Sequence, residues 1–513
     1  MSGHDQDQKP DMLLFWGCFV ALIATAFGFI VRALIIGDLA VEFDLTETQK
    51  GEILGVGLWP FAISIVLFSL VIDRVGYGNA MWFAFGCHIV SAIMTITATN
   101  YQMLYWGTFI CALGNGTVEA FINPVVATMF SKGKTKWLNI LHAGWPGGMV
   151  LGGLLVLVLI PTMDWQVKVG LIFLPTIAYA AMLFGRKFPV HERVAAGVSD
   201  KQMLGEVGFF GALIAIGLVV WEFTRVLAAA ELLPLEGSNM TILRVVASLG
   251  IAGAFGLYTG SLGRPLFIVL LLIMIPLATT ELGTDSWISD LMTPAMGALG
   301  LSGGWVLIYT AFLMMLLRFS AGPIVERLNP LGLLTASALV AILGLLFLSQ
   351  AGGIAILIAA TLYACGKTFF WPTMLGVVAE QFPKGGAMTM NTIAAVGMLS
   401  VGTLGAPLLG YVQDSDVERG IAAYDQANST TYTQDYVTQE KQSIIFKYRA
   451  LDVQALEAAP EDVQQNIQTI VEPVKKGTLA KVAVLPGIML LCYIALGIYF
   501  KGKGGYQVRH AHE

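Results

Sequence analysis

Two apolar stretches each carry one ionisable residue five positions before a proline: Glu119 ahead of Pro124 in TFICALGNGTVEAFINPVVATMF, and Lys367 ahead of Pro372 in TLYACGKTFFWPTMLGVVAEQF. A charge at the centre of a bilayer helix costs about 2.5–3.5 kcal/mol on insertion scales, so it signals a water-filled cavity, a partner or a task. Low dielectric disfavours the charged form of a carboxyl, and a nearby cation restores it. Glu119 moving between an apolar setting and a basic neighbour, Lys367, Arg32 or a protonated His142, would load and release a proton. A static ion pair bracing the helices is the competing reading. Lys367, a flexible point charge with three donors, either binds an anionic group or pairs structurally.

Other polar residues in apolar surroundings complete the candidate set. Asn123, Asn139 and Asn391 suit the fixing of a hydroxylated solute. Trp371 offers a ring face for a sugar or for packing. Arg32 either enters a cavity or snorkels to the interface. Glu281 and Asp285 close an apolar run where they would gate the outer mouth or bind substrate. Arg318, two turns before Glu326, is expected to brace an inner loop. His142 either shares the Glu119 proton or hydrogen-bonds within the core.

These residues sit in a chain built for a membrane. Of its 513 residues 56% are hydrophobic and 12% charged, and the mean hydropathy is +0.73. A span needs about 20 apolar residues at about 1.5 Å each to cross roughly 30 Å of hydrocarbon. About fourteen such runs are predicted, near 12–36, 51–72, 79–98, 101–130, 138–161, 167–185, 207–231, 241–260, 265–284, 302–321, 332–351, 354–380, 387–411 and 482–501. The first is expected to stay as a span, because it is too long for a signal peptide and follows no basic n-region. Lysines and arginines, among them Lys132, Lys134, Lys136, Arg186 and Lys187, fall on the side of the N-terminus in the short loops. Both termini are therefore expected in the cytoplasm, with the chain multi-pass in a plasma or inner membrane.

The halves repeat. Ser69-Leu70-Val71-Ile72-Asp73-Arg74-Val75-Gly76 and Gly322-Pro323-Ile324-Val325-Glu326-Arg327 both read small-x-x-x-acid-Arg, and one offset of about 250 residues aligns them as well as the two prolines. Asn139 and Asn391 follow at matching places. Duplicated membrane halves rocking about a midplane site give alternating access.

The Asp73-Arg74-Val75-Gly76 run resembles the inner loop between the second and third helices of the major facilitator superfamily, and Glu326-Arg327 resembles its duplicate. Tyr77-Gly78 replaces the usual basic pair and Ser69 the leading glycine. The resemblance implies an all-α integral membrane fold of two pseudo-symmetric six-helix bundles, with Asp73, Arg74, Gly76, Glu326 and Arg327 as an inner gating motif, which Arg318 is expected to brace from its place two turns before Glu326. The first bundle is placed at 12–185 and the second at 261–411 plus 481–501. Between them lie a cytoplasmic linker, 186–206, and two inserted helices, 207–260. Residues 1–11 and 502–513 are cytoplasmic ends in this reading.

Glu119-Ala120-Phe121-Ile122-Asn123-Pro124, followed by Leu138-Asn139 and His142, resembles the Glu-x-x-x-Asn-Pro element of fucose permease and related sugar:proton symporters. That resemblance implies a proton role for Glu119. On their own chemistry, His142 is the candidate to share that proton, and Arg32, Asn123, Asn139, Glu281, Lys367, Trp371 and Asn391 are the candidate substrate contacts. Arg32 stands beside the place of that family's first-helix aspartate, so sugar specificity does not carry over. The expected partners are a small polar solute, a proton and membrane lipids, with no nucleic acid and no obligate protein partner. An organic-anion carrier and a non-transporting sensor remain as alternatives.

The aqueous segment 412–480 holds eleven acidic and six basic residues and so carries the net charge of −5. Pro460-Glu461-Asp462 opens an amphipathic helix with Val463, Ile467, Ile470, Val471 and Val474 on its apolar side, closing at Lys475-Lys476-Gly477. A small helical cap over the outer mouth is the expectation. The cysteines, Cys18, Cys87, Cys111, Cys365 and Cys492, stand singly in apolar runs with no metal-ligand spacing. No P-loop, GxSxG or HExxH is present, so neither enzyme, metal site nor cofactor is expected.

Overall fold

The computed structural model describes residues 10–45, 47–284, 304–352, 354–442 and 447–512. Asp285 lies outside them. Thirteen helices among the described residues are long and apolar enough to cross a membrane, and a shorter apolar helix joins them. In chain order they are α1 (Met12–Glu42), α2 (Gln49–Val75), α3 (Tyr77–Ile96), α4 (Tyr101–Met129), α5 (Lys134–Leu159), α6 (Trp165–Leu183), α7 (Asp200–Ala229), α8 (Gly237–Thr259), α9 (Pro265–Gly283), the shorter α10 (Gly304–Phe319), α11 (Ala321–Leu348), α12 (Ala355–Gln381), α13 (Pro383–Asn428) and α14 (Glu461–Gly502). Each predicted run coincides with one of them.

Local chemistry fixes many ends. The Asp11 carboxylate takes the N–H groups of Leu13 and Leu14, Asn100 takes that of Met103, and Ser199 forms a capping box with Gln202. Helix turns fall where a positive φ is needed: Gly76 at 86° after α2, and Asn329 at 53° at the matching place in the other half. Asn329 divides α11, so that 321–328 continues α10 toward the same face. Gly208, at φ 57°, likewise separates the start of α7 from its membrane portion.

Prolines interrupt the helices around the centre. They stand at Pro124 in α4, Pro146 in α5, Pro276 in α9 and Pro372 in α12. A proline has no N–H for the carbonyl four residues back, so each leaves an acceptor that other groups must satisfy.

The halves meet where α2 packs on the first part of α13, α5 on α10, and the first turns of α5 on the end of α12. Gly148 and Gly152 bring α5 against α1, where a Cβ would press on Ala26 and Ile30. The α7–α8 pair packs mainly on itself and on α13, and α8 is exposed over most of its length, as a lipid-facing helix would be.

One face of the molecule carries both ends of the described chain, since Asp11 contacts Arg186 and the residues after α14 contact the 186–199 linker. The opposite face carries the cap. At roughly 60–70 Å, α13 and α14 are twice the hydrocarbon thickness, and they project beyond it as the stalk of 412–480. Val417, Ile421, Val437, Ile467 and Val471 form the cap's own core. The helix from Glu461 starts as expected with its two acids but runs through Gly477 into the last span. Thr478 and Lys481 both bond to Asp416 of α13, 2.9 and 2.6 Å away, and this holds the continuation. The cap also contains an antiparallel pair, β1 (Gln439–Gln442) with β2 (Lys447–Ala450), which the helical reading missed.

Candidate functional site

Glu119 lies on α4 one turn before Asn123 and is 5% exposed. Asn123 Nδ2 donates to Glu119 Oε2 at 2.6 Å, and His142 Nε2 stands 2.9 Å from Asn123 Oδ1 and 4.0 Å from Glu119 Oε2. The sequence spacing puts Glu119 and Asn123 on one helix face, and the packing of α5 on α4 adds His142. Among the described residues no lysine or arginine lies within 4 Å of the Glu119 carboxyl.

Another buried carboxyl, that of Glu281, is equipped differently. Glu281 accepts from Arg318 Nη2 at 2.7 Å on Oε1 and from the Trp371 N–H at 2.9 Å on Oε2. Lys367, 1% exposed, donates to the Glu281 carbonyl at 3.2 Å and stands over the Tyr363 ring. Both cations, Arg318 and Lys367, thus gather at Glu281, while Glu119 keeps neutral company.

Arg318 corrects the sequence reading. Expected at the inner loop, it is 2% exposed and central. The helical path continues past Ser320 to Leu328, so the span ends later than its apolar run and Arg318 lies well inside it. Besides Glu281, its guanidinium donates to the carbonyls of His142 (2.9 Å) and Thr368 (2.8 Å). These are the acceptors that Pro146 and Pro372 leave open. Asn391 does the same for the carbonyl opened by Pro124, donating to Ala120 O at 3.1 Å across the halves.

Asn139 donates to the Thr135 carbonyl and, at 3.1 Å, to Thr373 Oγ1 of the other half. The Oδ1 atoms of Asn139 and Asn391 are buried and, among the described residues, accept no hydrogen bond. Arg32 is set apart: it donates to Gly28 O one turn back and lines a small cavity with Ile35, Thr95 and Leu104. The expected approach of Arg32 to Glu119 is therefore not found.

At the face of the termini, Asp73 pairs with Arg193, Arg74 lies 2.5 Å from Asp200, and Arg193 reaches Asp200 at 3.3 Å. The motif is held by the linker. Glu326 meets Lys136 of the first half at 3.4 Å, whereas Arg327 is exposed. Residues not singled out from the sequence close the joint: Thr135 donates through N and Oγ1 to Glu380 Oε1 at 3.1 and 2.7 Å, and Lys134 donates to Ala379 O at 3.2 Å. Ser69 Oγ lies 3.4 Å from Met388 Sδ. A recognisable signal was the acid of VVAEQF standing in an apolar segment.

The sequence profile described as Major Facilitator Superfamily matches residues 17–407. Among solved structures, the E. coli proton:xylose symporter XylE is similar at a TM-score of 0.59 with 11% identity, over 94% of this chain and 95% of that one. The E. coli fucose:proton symporter FucP gives 0.54 with 15% identity over 92% and 98%. The human organic anion transporter MFSD10 gives 0.55 with 13% identity over 94% and 100%. These are likenesses of fold. No curated protein matches the sequence significantly. With the profile spanning both halves and the inner-loop repeat, the chain belongs to the major facilitator superfamily.

Proposed function

We propose that the protein is a secondary active transporter that moves a small, polar, sugar-like solute together with a proton by alternating access, with both termini in the cytoplasm. The observation that carries this reading is the contrast between two buried carboxyls. Glu281 accepts from Arg318 and a backbone N–H, as a structural ion pair does, while among the described residues the Glu119 carboxyl bonds to the neutral Asn123 amide alone and faces His142.

A proton arriving on Glu119 Oε2 turns that acceptor into a donor. The Asn123 amide must then turn its oxygen toward Glu119, which withdraws Oδ1 from His142 Nε2. His142 sits at the break of α5 and its carbonyl is held by Arg318 of the other half, so the rearrangement reaches the contact between the bundles. Deprotonation restores the chain. Beside it, the buried Oδ1 atoms of Asn139 and Asn391 are acceptors suited to the hydroxyls of a neutral solute, and Trp371 supplies a ring.

Carriage of an organic anion gripped by Arg32 and Lys367 has less support, because Arg32 belongs to a separate cavity on α1. The sensor reading rests only on the folded cap.

The test is uptake into proteoliposomes under an imposed pH gradient, with neutral sugars, sugar acids and other organic anions, for wild type and Glu119→Gln. Gradient-driven accumulation lost in the variant while exchange at equal pH survives is the expected result. Undiminished accumulation in Glu119→Gln would remove Glu119 from the coupling, and preference for acids would favour the anion carrier.

A further inference from the structure

The segment after α14 folds back over the joint between the halves. The Tyr506 ring packs on Phe500, and its hydroxyl donates to Glu380 Oε2 at 2.8 Å. Gln381 donates to the Gln507 carbonyl at 2.8 Å, and the Arg509 N–H donates to the Glu380 carbonyl at 2.9 Å. Farther on, the Ala511 N–H donates to Glu192 Oε1 at 3.0 Å and His510 Nδ1 lies 3.5 Å from the same oxygen.

Two carboxylates divide their oxygens between this segment and the other half. Glu380, at the end of α12, gives Oε1 to Thr135 of α5 and Oε2 to Tyr506. Glu192, in the linker, gives Oε2 to Lys134 of α5 at 3.0 Å and Oε1 to the segment. Lys134 in turn bonds to the Ala379 carbonyl. Access from this face requires α5 and α12 to part here; the segment ties α12 to the linker, and the linker holds α5 through the Lys134–Glu192 bond. Hydrogen bonds to charged groups are the stronger kind, so these contacts favour the closed joint.

We propose that residues 503–512 form a strap that holds the face of the termini closed and sets how readily the halves part there. The strap depends on the transport reading only in that the halves separate at this face.

The test uses the full chain in lipid nanodiscs, with the five native cysteines replaced by alanine. Spin labels are placed on cysteines introduced at the exposed positions Lys132 and Arg327, one on each half. Distance distributions from electron–electron double resonance are compared for this background, for Tyr506→Phe and for a chain ending at Gly502. A ratio of open to closed distances raised about tenfold by the truncation and severalfold by Tyr506→Phe is expected. Identical distributions in all three chains would overturn the strap. Should the truncated chain fail to fold, Tyr506→Phe alone decides between these outcomes. An opening response without uptake of any solute would count against the transport reading and leave the strap standing.

Discussion

The carbonyl oxygen of His142 receives a hydrogen bond from Arg318 Nη1 at 2.9 Å. Four residues after His142 stands Pro146, which has no N–H to offer that carbonyl. The same guanidinium serves the Thr368 carbonyl ahead of Pro372, and Asn391 serves the Ala120 carbonyl ahead of Pro124. Helices broken at the centre are thus completed by side chains from elsewhere in the bundle, twice across the interface between halves. The two that cross the interface, Arg318 to His142 and Asn391 to Ala120, exist only while the halves are docked there.

Arg318→Ala is expected to strip the buried Glu281 carboxylate of its cation and to reopen both carbonyls. Removing one partner of a buried pair costs about 3–5 kcal/mol. Thermal unfolding of the purified protein in detergent should register a large drop, and Arg318→Lys a smaller one, since a point charge cannot reach three acceptors in the plane of a guanidinium. A wild-type unfolding temperature for Arg318→Ala would refute this account of the centre.

Gly376 of α12 faces Thr135 of α5 at the closed joint. A Cβ at 376 would come within 2.7 Å of the Thr135 Cα and Cβ atoms, and backbone cannot yield as a side-chain tip can. Overpacking of this kind costs about 1–3 kcal/mol, charged here to the closed state alone. Gly376→Ala should therefore raise, by roughly tenfold, the rate at which a maleimide labels a cysteine placed at Met388 behind the joint. An unaltered rate would show that α5 and α12 do not part there.

The linker is expected to loosen in acid. Burial holds the His191 imidazole below its ordinary range; Asp73 and Glu192 pull the other way, while Lys134 and Arg193 add to the lowering. His191 Nδ1 accepts the Arg193 N–H at 3.1 Å, a bond that a proton on that nitrogen removes. The unfolded linker takes up a proton near pH 6.5 and the folded one does not, so stability falls as pH drops below about 6.5. Burial raises the pKa of Glu192, but the charge and hydrogen bond of Lys134 outweigh it and hold the carboxyl below its usual range. Its contribution is present above the unfolded value of about 4.3 and fades as pH falls through the depressed one. Hydrogen exchange over residues 186–199, corrected for the intrinsic rate, should show less protection at pH 5.5 than at pH 7 in wild type. The difference should vanish in His191→Gln, and equal protection in wild type would remove His191 as the cause.

Much of the site was legible because its chemistry is local. Glu119 and Asn123, both singled out from the sequence, are one helical turn apart, and their 2.6 Å contact follows from that spacing, although the sequence reading assigned Asn123 to the solute and sought the partner of Glu119 among Lys367, Arg32 and His142. The amphipathic helix of the cap was readable from its apolar spacing and acidic start, but its end was not. Gly477 faces open space inside a continuing helix, because Asp416, far away in sequence, holds Thr478 and Lys481. Asp73 was recognisable as part of a turn motif, yet its partner Arg193 lies 120 positions away and no periodicity connects them. Arg318 was misplaced for a related reason: hydropathy marks where apolar residues stop, whereas the helix runs on as a polar turn to Leu328.

By itself the sequence determined the lengths of the apolar runs, the prolines that open carbonyls and the turn residues that reverse the chain, all properties of a residue and its near neighbours. Tertiary structure decided which side chain fills each opened carbonyl, that Glu281 takes the arginine while Glu119 takes an amide, and that Arg32 stands elsewhere. Those choices depend on which helix faces which, and a buried polar group accepts whatever partner the packing brings within 3 Å.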